Sequence, residues 1–353
     1  MKLAIRNPGM LTTVQDLGRW GHQAIGMPVA GAMDSMALRR GNLIVHNPMD
    51  AAALEITVTG PTAEIIGKGL VALAGADLGM TLNGTYAAPW TAHAVRDGDR
   101  ISFSGMKDGN CRGYLCVSGG IEIPLVMGSR STYLRAGIGG FKGRTLQKGD
   151  TLDCGEPYIL WRRCAGFSCP KDLLPRYSAD LPLEAVLGPQ EDYFTDKGIE
   201  TFLSEEYHVS TAADRMGYRM DGPIIEHVDG ADIVSDAICL GAVQVPGHGQ
   251  PIVMMADRQT TGGYTKIAVL TQASICLLAQ RLPGQPVRFK AVGQNEAIKT
   301  AKEEAAKLES LKMDLARWVD AAGRTDGNTS LSKGSFRIRI NGKSHDITWE
   351  IIE

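Results

Sequence analysis

Short apolar runs cut by glycine dominate the 353-residue chain. Residues 71–74 run into Gly75, residues 113–118 into Gly119-Gly120, and residues 243–245 into Pro246-Gly247-His248-Gly249. Runs this short suit strands rather than helices, and glycine supplies the positive φ that tight turns demand. With 42 glycines and 6% aromatic residues, the pattern predicts a mainly β protein. Asn83-Gly84, between two short β-type segments, has the composition of a type I′ hairpin turn.

The length leaves room for two cores. Strand-like segments from residue 2 onward are closed by residues 146–152, and Leu183 begins a second unit. The predicted organisation is 1–155, a Pro- and Cys-containing irregular connector 156–182, a second unit 183–293, and a tail 294–353. One helix stands out in the first unit, over residues 35–45, with Asp34 at its N-cap position. Asp34 reads equally well as a cap and as a site carboxylate. Residues 269–282 read as a helix covering the second unit. From residue 294 the sequence becomes charged and helix-forming. Its apolar stripe, Ile298, Ala301, Ala305, Leu308 and Leu311, predicts a helix lying on the protein. A polar linker, 323–334, and a hairpin about Asn341-Gly342 complete the tail.

Residues 241–266 carry the densest chemistry. An apolar strand at 251–256 delivers Asp257, Arg258, Gln259, Thr260 and Thr261, then Gly262-Gly263-Tyr264 and Lys266. So many hydrogen-bonding groups at the end of a buried strand must be paired or open to a cleft. Two other loops add candidates. Residues 11–21 turn at Gly18 and Gly21 and present Gln15, Asp16 and Arg19. Residues 128–132, Gly-Ser-Arg-Ser-Thr, form a hydroxyl-rich loop with amides suited to an anion.

Several classes are excluded. A net charge of −2 with no basic stripe argues against nucleic acid. No run of 18 apolar residues predicts a membrane helix, and the N-terminus lacks a signal-peptide core. Seven scattered cysteines without a Cys-x-x-Cys, and dispersed histidines, fit a reduced cytoplasmic protein with no metal site. No P-loop spacing occurs.

Three blocks carry a resemblance. They are residues 13–19 with 31–34, residues 52–57 with Gly60-Pro61, and residues 244–266; Arg215-Met-Gly-Tyr-Arg219 and residues 128–132 strengthen it. The chain resembles the allophanate hydrolase subunit 2 family of biotin-dependent carboxyltransferase-like proteins, which includes subunits of ATP-dependent 5-oxoprolinases. The resemblance covers about residues 1–290. It implies two cyclophilin-like β-barrel domains, extended here by the C-terminal helix and hairpin. It also implies a cytoplasmic hetero-oligomer containing a sister B subunit and an A subunit, and ATP, with Mg2+, as a substrate used in the complex. In this reading Arg258, Gln259, Thr260, Tyr264 and Lys266 are catalytic. Gln15, Asp16, Arg19, Asp34, Gln244, Asp257, Thr261, Gly262 and Gly263 bind substrate, and Arg215 and Arg219 grip its acid group. The family also contains biotin-dependent carboxyltransferases of urea-like acceptors and regulatory partners of kinase-inhibitor-like proteins. The tail has no Ala/Val-Met-Lys-Met, so in the carboxyltransferase reading biotin rides on a partner.

Overall fold

The structure, a computed structural model, describes residues 1–325, 333–340 and 343–350. Two antiparallel sheets form from the first 154 residues. One runs Ile121–Glu122, Thr151–Cys154, Lys2–Asn7, Thr62–Ile66, Arg100–Phe103, Met80–Leu82, Thr85–Tyr86. The other runs Leu11–Gln15, Ala53–Thr57, Arg112–Val117, Gly69–Gly75, His93–Val95. Side chains alternate between faces along each strand. Leu54, Ile56, Leu73 and Leu115 therefore meet Leu3 and Ile5 of the first sheet in a closed core. Ala53, Ala72, Tyr114 and Cys116 face the opposite way, toward helix α1 (Ser35–Ile44). Covered on both faces, Gly69–Gly75 is buried at every position. The Asn83-Gly84 turn has positive φ at both residues (53° and 83°), as a type I′ hairpin requires.

The second unit is a single eight-stranded sheet. Its order is Pro286–Val287, Tyr207–Val209, Gly217–Asp221, Ile252–Met254, Ala242–Gln244, Lys266–Leu270, Leu183–Leu187, Phe289–Ala291. The two edge strands are separated in the chain only by Arg288, so the sheet curls into a nearly closed barrel. Phe202, Tyr207, Val243, Val253 and Ile267 fill it. Met33, from the first unit, is part of this same core. A separate ribbon pairs Asp232–Ala237 with Thr261–Tyr264.

Helix α2 (Trp161–Cys164) lies in the connector, which is a packed layer rather than a loose strap: Cys164, Phe167, Cys169 and Leu173 are buried beside α1. After α3 (Asp196–Ser204) comes α4 (Gln272–Ala279), shorter than the helix expected over 269–282. Val269 and Leu270 instead extend the barrel strand, paired to Val186 and Ala185, and Thr271 caps α4 by accepting from the Ser274 amide. An apolar run alone does not distinguish these outcomes; the pairing partner decides. The long α5 (Gln294–Thr325) buries Leu311, Leu315 and Val319 against this layer, while Ile298 stays half exposed. The inward stripe therefore begins at Leu308, about three turns later than the sequence periodicity placed its start. Arg40 of α1 fixes the helix through Glu304, at 2.7 Å.

Lys333–Ile340 and Lys343–Glu350 pair antiparallel as their own two-stranded sheet. The Asn341-Gly342 turn and residues 326–332 of the linker lie outside the described residues. No helix among the described residues is long and apolar enough to cross a membrane.

His227 ties two barrel strands together: its Nε2 lies 3.1 Å from both Val245 O and Thr265 Oγ1, and its ring packs on Phe194. Burial holds its pKa below the usual 6.5, against the opposing effect of the Val245 carbonyl. The unfolded chain therefore binds this proton more readily than the folded one. Its contribution is complete above pH 6.5 and is lost as pH falls toward the folded value. Urea unfolding of wild type against His227→Asn is expected to show the variant losing less stability between about pH 7.5 and pH 5.

Candidate functional site

The two barrels meet across a buried ionic clasp. Arg215, 8% exposed, places Nε and Nη2 on the two oxygens of Asp257, both at 3.0 Å. Its Nη1 donates to Glu55 Oε1, and Nη2 also donates to Gly31 O at 2.6 Å. Glu55, in the middle of Ala53–Thr57, accepts from Tyr114 Oη at 2.8 Å and from the Met33 amide at 2.9 Å. Burial disfavours the Arg215 charge, but Asp257 and Glu55 outweigh it and raise the pKa. Next to the clasp, Asp34 is fully buried and spends both oxygens: Oδ1 accepts from the Ala37 amide, and Oδ2 from Tyr177 Oη (2.6 Å) and Gln280 Nε2 (2.8 Å). It is the α1 cap and a seam residue at once, which leaves it no free oxygen for a substrate. Burial and the nearby Asp34 push Tyr177 well above the ordinary phenol range, so it stays a donor.

The hydroxyl-rich loop does bind an anion, and the anion is Asp16. Oδ1 accepts from Gly18 N, Ser129 Oγ and Ser131 Oγ, and Oδ2 from Arg130 N. Four donors on one carboxylate leave no place for a ligand there, so Asp16 positions the loop. Beside it, Gln15 and Arg19 are nearly wholly buried and incompletely bonded. Arg19 Nη2 donates to Ser131 O, but its Nε and Nη1 and the Gln15 Oε1 have no partner. Burial lowers the Arg19 pKa, with Asp16 and Asp257 opposing. Glycines bring these loops together. A Cβ on Gly31 (φ 91°) would lie 2.8 Å from Gly18 N, and one on Gly139 would lie 2.5 Å from Arg19 Nη2.

The second barrel contributes Arg258, Gln244 and Lys266. Arg258, 4% exposed, donates only to carbonyls, Ile238 O (3.2 Å) and Met255 O (3.4 Å). Its pKa is lowered by burial. Gln244 Nε2 is buried without a partner. A Cβ on Gly262 would stand 2.9 Å from that nitrogen and 2.5 Å from Ile238 Cδ1, so the ribbon can lie on Gln244 only with glycine there. Lys266 Nζ, itself buried, reaches the exposed Asp236 at 3.0 Å. Both cations therefore hold the segment 236–238.

The expected residues thus divide. Arg19, Asp257 and Arg258 are buried near the seam, with Gln15 beside Arg19 and Gln244 under the ribbon. Gln259 and Thr260 are half-buried, and Thr261 and Tyr264 are exposed on the ribbon. Arg215 and Arg219 do not converge. Arg215 is occupied by two carboxylates, while Arg219 lies exposed on Gly217–Asp221, two residues from a buried Gly217. Glu55, Arg112, Tyr114, Tyr177 and Gln280 were not among the expected site residues. A lone acid inside the apolar Ala53–Thr57 was the one visible signal. Among the described residues no group of three His, Cys, Asp or Glu stands ready for a metal.

Residues 25–291 match the family described as carboxyltransferase domain, subdomain A and B. The chain is 39% identical over 315 residues to the C subunit of 5-oxoprolinase from Escherichia coli (strain K12), covering 89% of this chain and 98% of that protein. The corresponding C subunit from Haemophilus influenzae is 37% identical over 304 residues, 85% of this chain and 94% of that protein. Among solved structures, the urea carboxylase of Kluyveromyces lactis superposes with a TM-score of 0.82 at 29% identity. That match covers 88% of this chain and 29% of the larger one.

Two substitutions test the geometry. Glu55→Ala strips Arg215 of one counter-charge and is expected to cost roughly 3–5 kcal/mol of unfolding free energy in urea. Asp16→Asn sets an amide against donors and is expected to cost about 2 kcal/mol by the same measurement. A loss below about 0.5 kcal/mol in either would contradict the assigned bonding.

Proposed function

The chain belongs to the carboxyltransferase-domain family, subdomains A and B, and from that premise we propose that it is the C subunit of an ATP-dependent 5-oxoprolinase. The two C-subunit relatives, aligned over nearly their whole lengths, support the reading. In it, this chain and its sister B subunit together activate 5-oxoproline. The lactam oxygen attacks the γ-phosphorus of ATP, ADP leaves, the lactam N–H proton is lost, and an O-phosphorylated lactam remains. Two waters are then consumed in the A subunit as the ring opens, releasing phosphate and glutamate.

The observation that carries the chemical role is Arg258, a buried guanidinium bonded only to carbonyl oxygens. A cation fixed and desolvated in this way stabilises negative charge far better than one in water. Gln244 Nε2, unpartnered beneath Gly262, is a second donor of the same kind. Arg19 supplies a third from the first barrel, with Nε and Nη1 free. These groups suit the negative charge spread over the oxygens of the γ-phosphoryl group as it passes to the lactam. Lys266, paired to Asp236, holds the ribbon at Thr261–Tyr264 in place, which makes it a positioning residue. The magnesium of MgATP is assigned to the sister chain, because the buried carboxylates Glu55, Asp257, Asp34 and Asp16 are engaged in the clasp, the α1 cap and the Asp16 loop.

A carboxyltransferase role is the second reading, supported by the urea carboxylase likeness. The same donors would then polarise a urea-like carbonyl, and a biotin carrier would be a separate chain. ADP release by the co-expressed pair of subunits distinguishes the two. Release stimulated by 5-oxoproline and independent of any biotinylated carrier is expected. Arg258→Ala is expected to lower its rate about 10²–10³-fold while the pair still assembles. Release that requires a biotinylated carrier, or that Arg258→Ala leaves intact, would overturn the assignment.

A further inference from the structure

A cleft of about 430 Å³ opens in the seam between the barrels, outside the 258–266 cluster. Its wall is apolar, with Met10, Leu11, Val58, Leu134, Val209 and Leu282. Four arginines line it, Arg112, Arg135, Arg215 and Arg281, against two carboxylates, Asp214 and Asp257. Arg215 is committed to the clasp. Arg112 and Arg281 are different: they are 6% and 3% exposed, and neither hydrogen-bonds a carboxylate. Arg112 donates to Tyr218 Oη, Ala279 O and Cys111 Sγ, and Arg281 to the carbonyls of Ser178, Ala179, Leu181 and Pro286. In both, Nε is buried without any partner.

Buried donors are rarely left unpaired, and buried cations rarely lack a counter-charge. Two such arginines on one cleft suit an anion. The backbone adds an independent sign. Val58 lines the cleft at φ 64°, a left-handed conformation that a β-branched residue adopts only under constraint. Strain of this kind gathers where a fold holds a surface in shape for a ligand.

We propose that this seam cleft binds a small organic carboxylate, its acid group toward Arg112 and Arg281 and its apolar body on the wall formed by Val58, Leu134 and Leu282. The size is in the range of small-molecule sites, roughly 300–1,000 Å³. Recognition of the acid passes to Arg112 and Arg281, since Arg215 is saturated and Arg219 faces solvent. The choice of 5-oxoproline as the first acid to test rests on the proposed function; the site itself rests on the cleft.

Calorimetric titration of the full chain tests it, with 5-oxoproline, glutamate and propionate as acids and 2-pyrrolidinone as the lactam lacking the acid group. At least one acid is expected to bind, and 2-pyrrolidinone about tenfold or more weaker than 5-oxoproline. Arg112 and Arg281 also support the fold, so the variants are chosen at the rim. Arg135→Glu reverses an exposed charge, and Ala213→Trp fills the space. Each is expected to weaken the acid about tenfold at an unchanged unfolding midpoint. If Ala213→Trp fails to fold, Arg135→Glu decides. Absence of binding by every acid up to about 10 mM, equal binding of the neutral lactam, or undiminished affinity in Arg135→Glu would overturn the proposal. ADP release by the assembled enzyme separates the two readings. Stimulated release with an unchanged KM for 5-oxoproline in Arg135→Glu defeats the cleft alone. Acid binding that the variants abolish sustains the cleft even where no ADP is released.

Discussion

The arrangement of the two barrels depends on one desolvated guanidinium. Arg215 comes from the second barrel and reaches Glu55 and Gly31 of the first while gripping Asp257 of its own. Removing three charges from water is costly, and an isolated buried pair often contributes little net stability. Here the remaining lone pairs are used as well, by Tyr114 Oη and the Met33 amide on Glu55. Such a network acts as a registration device: a shifted docking of the barrels would strand a charge. The same segment that accepts from Arg215 inserts Met33 into the second core. Polar specificity and apolar burial therefore fix the same contact.

That contact sets the site. Backbone bonds Arg19 N to Val29 O and Ala32 N to Asp16 O tie the Asp16–Arg19 turn to the strip that carries Gly31. Once Gly31 O is held by Arg215, Arg19 is held too. Asp16 then neutralises the loop at 129–131 from within. The result is an unequal distribution of charge. The buried carboxylates Asp16, Asp34, Glu55 and Asp257 are all engaged, whereas Arg19, Arg258, Arg112 and Arg281 retain unpaired donors or bind only neutral acceptors. A protein that leaves its buried cations short of partners is prepared for an anion or for an oxygen that gains negative charge.

Much of this was legible in the sequence, for local reasons. Asn83-Gly84, the Asp34 cap and the strand-to-ribbon passage at 251–264 each follow from chemistry within a few residues. The 128–132 loop was legible as an anion cradle, but its occupant comes from residue 16, and nothing nearby in the chain says so. Three features depended wholly on tertiary pairing. Val269 and Leu270 are strand because Leu183–Leu187 lies beside them. The α5 stripe shifts because Leu311, Leu315 and Val319 pack on the apolar layer of α1 and α2, whereas nearer its start α1 holds the helix through the Arg40–Glu304 ion pair. Arg215 and Arg219 share a motif but not an environment, since Arg215 sits in the bend before Gly217–Asp221 and reaches the seam while Arg219 lies exposed on the strand.

Hydrogen exchange of the free chain tests the central claim that the barrels are locked before any partner binds. The amides of Cys111 and Arg112 cross the seam, donating to Gln280 O and Gln280 Oε1. Locked barrels predict that both exchange as slowly as the central strand amides of Leu73 and Leu115, through global unfolding. Exchange at loop-like rates, with the strand amides still protected, would show that the barrels part independently and would contradict the account.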